Sequence, residues 1–344
     1  MMSVAGRLTG PEWQHYSDPA TEFDVLRLTG PAFTSGMTAP HLRQFGRRGE
    51  WLLYWSERDG TRQAFQLDLR MGGSKQLTAA ASLDPASLSL APDERSFFFF
   101  DGSSLNETVI GGLHTREIYK VPDEAVRTGM TVTAEGSVLF AERLNGQSRI
   151  IRVTRQHTPP APVDRPQGAV DLLMARPRHA QLLYRSDAGA WLINNDGSGK
   201  RPIKLAPGQT GEMLWTPSGR TLTYLHIPDE STQLVTLREY SPDDDADHEV
   251  ARTSQFATAA PNGDASVFVG ASRSKATAYV LLLLRVTRRE LAICEHRASD
   301  PRMVSPIFSP DSQSVFFVTD RDGKPALYSI RLEKFVEQTG QEAQ

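Results

Sequence analysis

Ser305–Leu332, SPIFSPDSQSVFFVTDRDGKPALYSIRL, contains in succession a turn, an apolar strand, a second turn and another strand. Proline fixes φ and aspartate can hydrogen-bond its own backbone, so Ser309-Pro310-Asp311 makes the first turn. The polar, glycine-ended Asp320–Gly323 makes the second. Ser314–Val318 between them is β-branched and aromatic, and Ala326–Leu332 alternates apolar with polar residues, the period of a half-buried strand. The stretch reads as one blade of sheet. The same order of turn and strand recurs upstream, anchored at Pro261 (AAPNGDASVFV), Pro217 (WTPSGRTLTYL), Pro177 (ARPRHAQLLYR), Ala134 (VTAEGSVLFAE), Pro92 (LAPDERSFFFF) and Gly46 (QFGRRGEWLLYW). Spacing of this kind marks solenoids and propellers. Seven units of about four strands predict an all-β chain: a seven-bladed β-propeller of four-stranded antiparallel blades, one domain over residues 1–344.

The last unit stops after its third strand, and the tail Glu333–Gln344 turns polar, with room for a short helical turn near Glu333–Gln338 and no need of any other helix. Phe23–Thr29, FDVLRLT, matches the outer strand of the first unit, Lys75–Thr78. It is predicted to complete the seventh blade and close the ring, because two sheet edges would otherwise stay unpaired.

A net charge of −3, from 38 basic and 41 acidic residues mixed along the chain, offers no basic field for nucleic acid or anionic lipid. The single cysteine, Cys294, cannot form an internal disulfide, and MMSVAGRLTGPEWQ has no basic-then-apolar leader, so a cytoplasmic location is expected. The longest apolar run, Ala278–Leu284, is far short of a membrane span and reads as a buried strand. Two segments break the repeat. Pro-rich His157–Gly168 reads as a loop, since proline cannot pair in a central strand. Acidic Ser241–His248 reads as a solvated loop; a cation site from Asp243, Asp244, Asp245 and Asp247 is the alternative, although the spaced Gly and Glu of a calcium loop are absent.

Chemistry-bearing motifs are scarce. The chain has no Gly-x-Ser-x-Gly elbow, no phosphate-cradling Gly-rich loop, no His-Glu-x-x-His and no cysteine cluster, and its eight histidines are scattered without ligand spacing.

The ordered set of TEFDVLRLT, WLLYWSERDG, QAFQLDL, KQLT, LAPDERSFFFF, REIYKVPDE, LLYRSDAGAWLINNDGSGKRPI, TGEMLWTPSGRTLTYL and FSPDSQSVFFVTDRDGKPALYSIRL resembles the oligogalacturonate lyases, seven-bladed propellers that cleave pectic uronate oligomers by β-elimination. The Ser-Pro-Asp blades by themselves are shared with TolB-type propellers. The lyase resemblance implies a divalent metal, usually manganese, that neutralises a substrate carboxylate and so makes the neighbouring C5 proton more acidic for a base. It also implies histidine and glutamine ligands at positions that are here Gly211, within GEMLW, and Asp300, Met303 and Ser305, within DPRMVS. All the ligand types are replaced, so no metal cofactor is expected. The family's base position falls near Arg185 and Ser186. Arg185, Glu212 and Arg302 are therefore the candidate catalytic or ligand-binding residues, with the two guanidinium forks suited to carboxylates. Three functions follow: a degenerate member binding an acidic oligosaccharide or other anion at the central channel, an active lyase using other residues, or a TolB-like propeller with a protein partner.

Overall fold

A computed structural model of the chain describes residues 5–46, 48–156, 158–229, 234–253, 256–274 and 276–332. Seven antiparallel sheets of four or five strands follow one another around a central channel. In each blade the first strand is innermost: Ser35–Gly36, Ser89–Leu90, Val126–Val132, Val170–Ala175, Gln209–Trp215, Phe256–Pro261 and Ile307–Phe308 in blades one to seven. In blades two to six the ladder then runs outward in chain order, so that each polar turn reverses the strand and the next blade starts again at the centre.

A blade of such a ring is covered on both faces, which removes the apolar-polar alternation of a half-exposed sheet. The run Phe97–Phe100 in blade two shows the consequence. Phe97 and Phe99 pack with Leu53 and Leu77 of blade one, while Phe98 and Phe100 pack with Val132 and Phe140 of blade three. All four are buried, and the Phe100 and Phe140 rings meet edge to face at 5.3 Å. Charged groups tie neighbouring blades in the same way twice. Arg155 and Arg285, each just beyond the third strand of its blade, reach back to Glu107 and Glu239 on the third strand of the blade before (2.7 and 2.6 Å).

The ring closes where Asp24–Arg27 pairs antiparallel with Ala326–Arg331, in the register Val25↔Ile330, Leu26↔Ser329, Arg27↔Tyr328. The N-terminal segment does more than the sequence suggested. Gln14–Ser17 adds a fifth strand outside Asp24–Arg27, and Leu8–Thr9 adds a fifth strand to blade one, beside Ser74–Gln76. Both are short and exposed, with little apolar signal to reveal them.

Three expectations need correction. Within the Pro-rich segment, Ala161–Asp164 is the outer strand of blade three; Pro162 is tolerated because an edge strand can point a missing N–H away from the ladder. Within the acidic segment, Ala246–His248 belong to the outer strand of blade five, leaving only its first residues as a turn. Its carboxylates go to separate donors: Asp243 to Arg176, Asp244 to Ser241, Asp245 to Tyr240, and Asp247 to Tyr224 and Arg238. They do not converge on a shared cation position. Third, a one-turn helix does occur, at Pro301–Val304, with Asp300 as N-cap and Ser305 closing it in the left-handed region (φ 33°). The helical turn anticipated near Glu333–Gln338 lies outside the described residues. Among the described residues, no helix is long and apolar enough to cross a membrane.

Deleting residues 1–30 should remove the closing strand and leave the Ala326–Arg331 edge bare. Burial of Val25 and Leu28 contributes on the order of 3–6 kcal/mol, so the truncated chain is expected to aggregate or to melt on the order of 10 °C lower. Calorimetric melting of the truncated and full chains measures this; an unchanged, cooperative transition would show that closure does not depend on the N-terminal strand.

Candidate functional site

The innermost strands all begin at one mouth of the channel, so residues from separate blades are gathered there. Four of these strands carry a register shift in their first half, in blades three, four, five and six. A bulge sets two residues opposite one and re-aims their side chains. In blade five, Gly211 and Glu212 occupy the bulge between the pairs Thr210↔His226 and Met213↔Tyr224. Glu212 is thereby turned toward blade six, where its Oε2 accepts the Ala259 N–H at 2.9 Å. Enclosure in the wall pushes its carboxyl up to about 7, and the Ala259 bond offsets part of that shift. No arginine or lysine among the described residues pairs with it.

Arg185 stands on the second strand of blade four. Its Nε and Nη2 fork onto Asp171 (2.9 Å each), and its Nη1 donates to Thr210 Oγ1 across the blade boundary (2.8 Å). Arg302, on the one-turn helix before blade seven, folds back onto Asp300 (2.9 Å) with its side chain 80% exposed. The two arginines share no partner. A third pair of this kind was not legible in the sequence: Arg127, at the start of blade three's inner strand, bonds Asp84 and lies over the Phe100 ring, 4.0 Å from its centroid. Only its place at the beginning of an inner strand could have signalled it. The mouth thus carries Asp–Arg pairs from several blades, each partly open to water.

At the mouth, His226 stands opposite Thr210, with Nε2 on the Pro207 carbonyl (2.7 Å) and Nδ1 on Thr236 Oγ1 (3.3 Å). His41 reaches from blade one to the Met130 carbonyl of blade three (3.2 Å), and His296 is buried with its Nε2 on the Ser272 carbonyl (3.2 Å). Burial lowers the pKa of both, which keeps the rings neutral at neutral pH. Ser186, beside Arg185, is buried, and its Oγ accepts the Ala188 N–H.

No family model matches the chain. An oligogalacturonate lyase of Dickeya dadantii is 25% identical to it, over 92% of this chain and 95% of that protein. An oligogalacturonide lyase of Pectobacterium atrosepticum is 23% identical with the same coverage. A solved oligogalacturonate lyase in complex with manganese superposes with a TM-score of 0.90 at 21% identity, over 97% of this chain and 100% of that one. The oligogalacturonate lyase structure from Vibrio parahaemolyticus gives 0.88, also at 21% identity. The chain is an oligogalacturonate-lyase-like propeller.

The four positions that the resemblance assigns to metal ligands do not offer a donor set that fits a divalent ion. Gly211 has no side chain, and a Cβ placed on it would sit 3.1 Å from Leu225 Cβ. Asp300 caps the one-turn helix and is held by Arg302; the Met303 amide donates to the Asp300 carbonyl, and Ser305 ends that helix. A thioether sulfur, a hydroxyl and one salt-bridged carboxylate make a poor set for a manganese-like ion. Among the described residues, no group of three or more His, Cys, Asp and Glu is placed to hold a metal.

Glu212 makes stability depend on pH. A carboxyl whose pKa rises on folding favours the folded chain fully below its unfolded value of 4.5, and that contribution is lost as pH climbs to about 7. Glu212→Gln keeps an acceptor for the Ala259 N–H and removes the charge. Urea denaturation at pH 5 and pH 8 should show the variant gaining on the parent by about 2–3 kcal/mol at the higher pH. Equal differences at both pH values would mean that the carboxyl is not enclosed.

Proposed function

We propose that this lyase-like propeller binds an acidic oligosaccharide, or another anion of similar charge spacing, at the channel mouth, and that it lacks metal-dependent elimination. The observation that carries the reading is Arg185, a bidentate fork held at the mouth by Asp171, whose own side chain is 59% exposed. An ion pair this open is worth about 0–1 kcal/mol, so a substrate carboxylate can take Asp171's place at small cost. Arg302, on the still more open Asp300 pair, can turn outward in the same way.

Elimination asks for more than charge pairing. In the metal-dependent reaction the ion neutralises the carboxylate beside the carbon that loses its proton. Arg185 can offset some of that charge, but a guanidinium stays protonated and cannot also take the proton. Glu212 has a pKa suited to a base, yet it is turned into the wall between blades five and six by its bond to Ala259. These roles fit a binding protein that keeps the lyase scaffold. A cytoplasmic setting belongs to the same proposal, supported by the buried, unpaired Cys294, whose thiol is pushed up by burial and so resists oxidation.

Calorimetry with short oligogalacturonates should show binding that weakens with salt, as exposed charge pairing does. Arg185→Ala is expected to weaken it about tenfold, a loss of about 1.4 kcal/mol. With manganese added, the absorbance of the unsaturated product should not grow, and elemental analysis should find no stoichiometric metal. Turnover abolished by a chelator would refute the reading, and so would binding that ignores both salt and Arg185→Ala.

A further inference from the structure

Six Asn-Gly or Asp-Gly pairs stand in the chain: Asp59-Gly60, Asp101-Gly102, Asn145-Gly146, Asp196-Gly197, Asn262-Gly263 and Asp322-Gly323. Such pairs form turns. Each is also a latent reaction centre, because the unhindered glycine amide nitrogen lies within reach of the preceding side-chain carbonyl carbon and can close a five-membered imide on it. Asparagine is the more reactive of the two, since its amide leaves as ammonia and a carboxylate has no comparable leaving group. The fold holds five of the six side chains. Asp59 pairs with Arg7, Asp101 accepts the Ala81 and Ser82 amides, Asp196 accepts the Ser198 amide and hydroxyl, and Asp322 accepts the Tyr328 hydroxyl. Asn262 is held at both ends: its Oδ1 accepts the Val267 amide (3.1 Å) and its Nδ2 donates to Ser266 Oγ (3.2 Å). The amide that would attack it is held as well, since Gly263 N donates to Ser312 Oγ (2.9 Å).

Asn145 is different. With Gly146 it makes the two-residue tip of the hairpin between the second and third strands of blade three, closed by the pair Leu144↔Gln147. Both residues have positive φ (50° and 77°), as the tight hairpin turn favoured by Asn-Gly requires. Both are exposed, and neither the Asn145 side chain nor the Gly146 amide bonds any described residue. A Cβ built on Gly146 would meet nothing within 4 Å, so the tip has room to turn. Its one tether beyond the hairpin pair is Arg143, whose Nε donates to the Gly146 carbonyl (3.4 Å). Attack needs the Asn145 backbone to rotate until Gly146 N faces the side-chain amide carbon, and at this tip no side-chain bond has to break first.

We propose that Asn145-Gly146 is a self-modification site with water as its only co-reactant. Gly146 N bonds to Asn145 Cγ, the Cγ–Nδ2 bond breaks, and the amide proton of Gly146 leaves with Nδ2 as ammonia. Water then opens the imide at either carbonyl, which gives aspartate, or isoaspartate with the main chain routed through the side chain. No oxidation or reduction takes place. The new carboxylate stands two residues from Arg143, which lies opposite Val126 at the start of blade three's inner strand, so the added negative charge falls on the mouth side of the ring. The site does not rest on the reading of Arg185.

Mass spectrometry on the full chain tests this. The protein is incubated at pH 6 and pH 8 and then cut with trypsin, which leaves Asn145 and Asn262 on separate peptides, residues 144–149 and 253–273. Deamidated 144–149, in aspartyl and isoaspartyl forms, should accumulate about tenfold faster than deamidated 253–273, because Asn262 and Gly263 must first give up their hydrogen bonds. The rate should rise with pH, since Gly146 N attacks after losing its proton. In urea the two rates should converge, which assigns the difference to the fold. Asn145→Gln, whose attack would need a six-membered ring, should leave the peptide unmodified, and its melting curve should match the parent because the position is exposed. Asn145 reacting no faster than Asn262 in the folded chain would overturn the proposal: the hairpin would then hold the amide away from the side chain. A rate difference that persists in urea would overturn the role of the fold.

Discussion

The pairing of Asp24–Arg27 with Ala326–Arg331 is the interaction on which the other interfaces depend. A ring of blades has no free faces only while it is closed, and this ladder joins strands from opposite ends of the chain. Several contacts reinforce it: the Leu28 amide donates to the Leu327 carbonyl, Thr29 Oγ1 accepts from the Leu327 amide, and Arg321 bonds Tyr16. Asp18 and Thr21 extend the seam to blade six through Glu295 and Ile293. Opening the ladder would expose a strand edge and two apolar blade faces together, so its loss reaches beyond its own few hydrogen bonds.

With the ring closed, stability and function fall in different parts of each blade. The middle strands carry the apolar faces and the inter-blade arginines, whose glutamate partners Glu107 and Glu239 are buried and would be left uncompensated without them. The inner strands have their channel-facing edge unpaired and are bulged in four blades. Their polar groups are satisfied locally, as Glu212 is by Ala259, or by partly open ion pairs, as in Asp171–Arg185 and Asp84–Arg127. Such pairs exchange partners at low cost, as the proposed anion binding at the mouth requires.

Comparison with the oligogalacturonate lyases separates scaffold from site. The superposition covers essentially the whole ring, and it speaks for the backbone alone, since identity is 21%. A propeller sets where loops converge, while the residues on those loops set the chemistry. Here Asp300 caps a one-turn helix that Ser305 ends, so these residues serve local structure.

How much could be read without coordinates varies with the range of the interaction. The turn at Ser309-Pro310-Asp311 and the strand Ser314–Val318 depend on neighbours a few residues away, so their recurrence revealed the blades, their number and the closing role of Phe23–Thr29. Leu8–Thr9, Gln14–Ser17 and Ala161–Asp164 were hidden because short edge strands carry little apolar signal and one includes a proline. At the mouth, Arg185, Glu212 and Arg302 could be named from the chain, but their partners could not. That Arg185 is held by Asp171 depends on how two strands of blade four pair, and that Glu212 is enclosed depends on how blade five packs against blade six. The sequence by itself determined the repeating local structure, because turn chemistry and strand periodicity act within a few residues. Only the tertiary structure decided the pairing, burial and protonation of the channel groups, because these arise from side chains that strand pairing and the packing of neighbouring blades bring together.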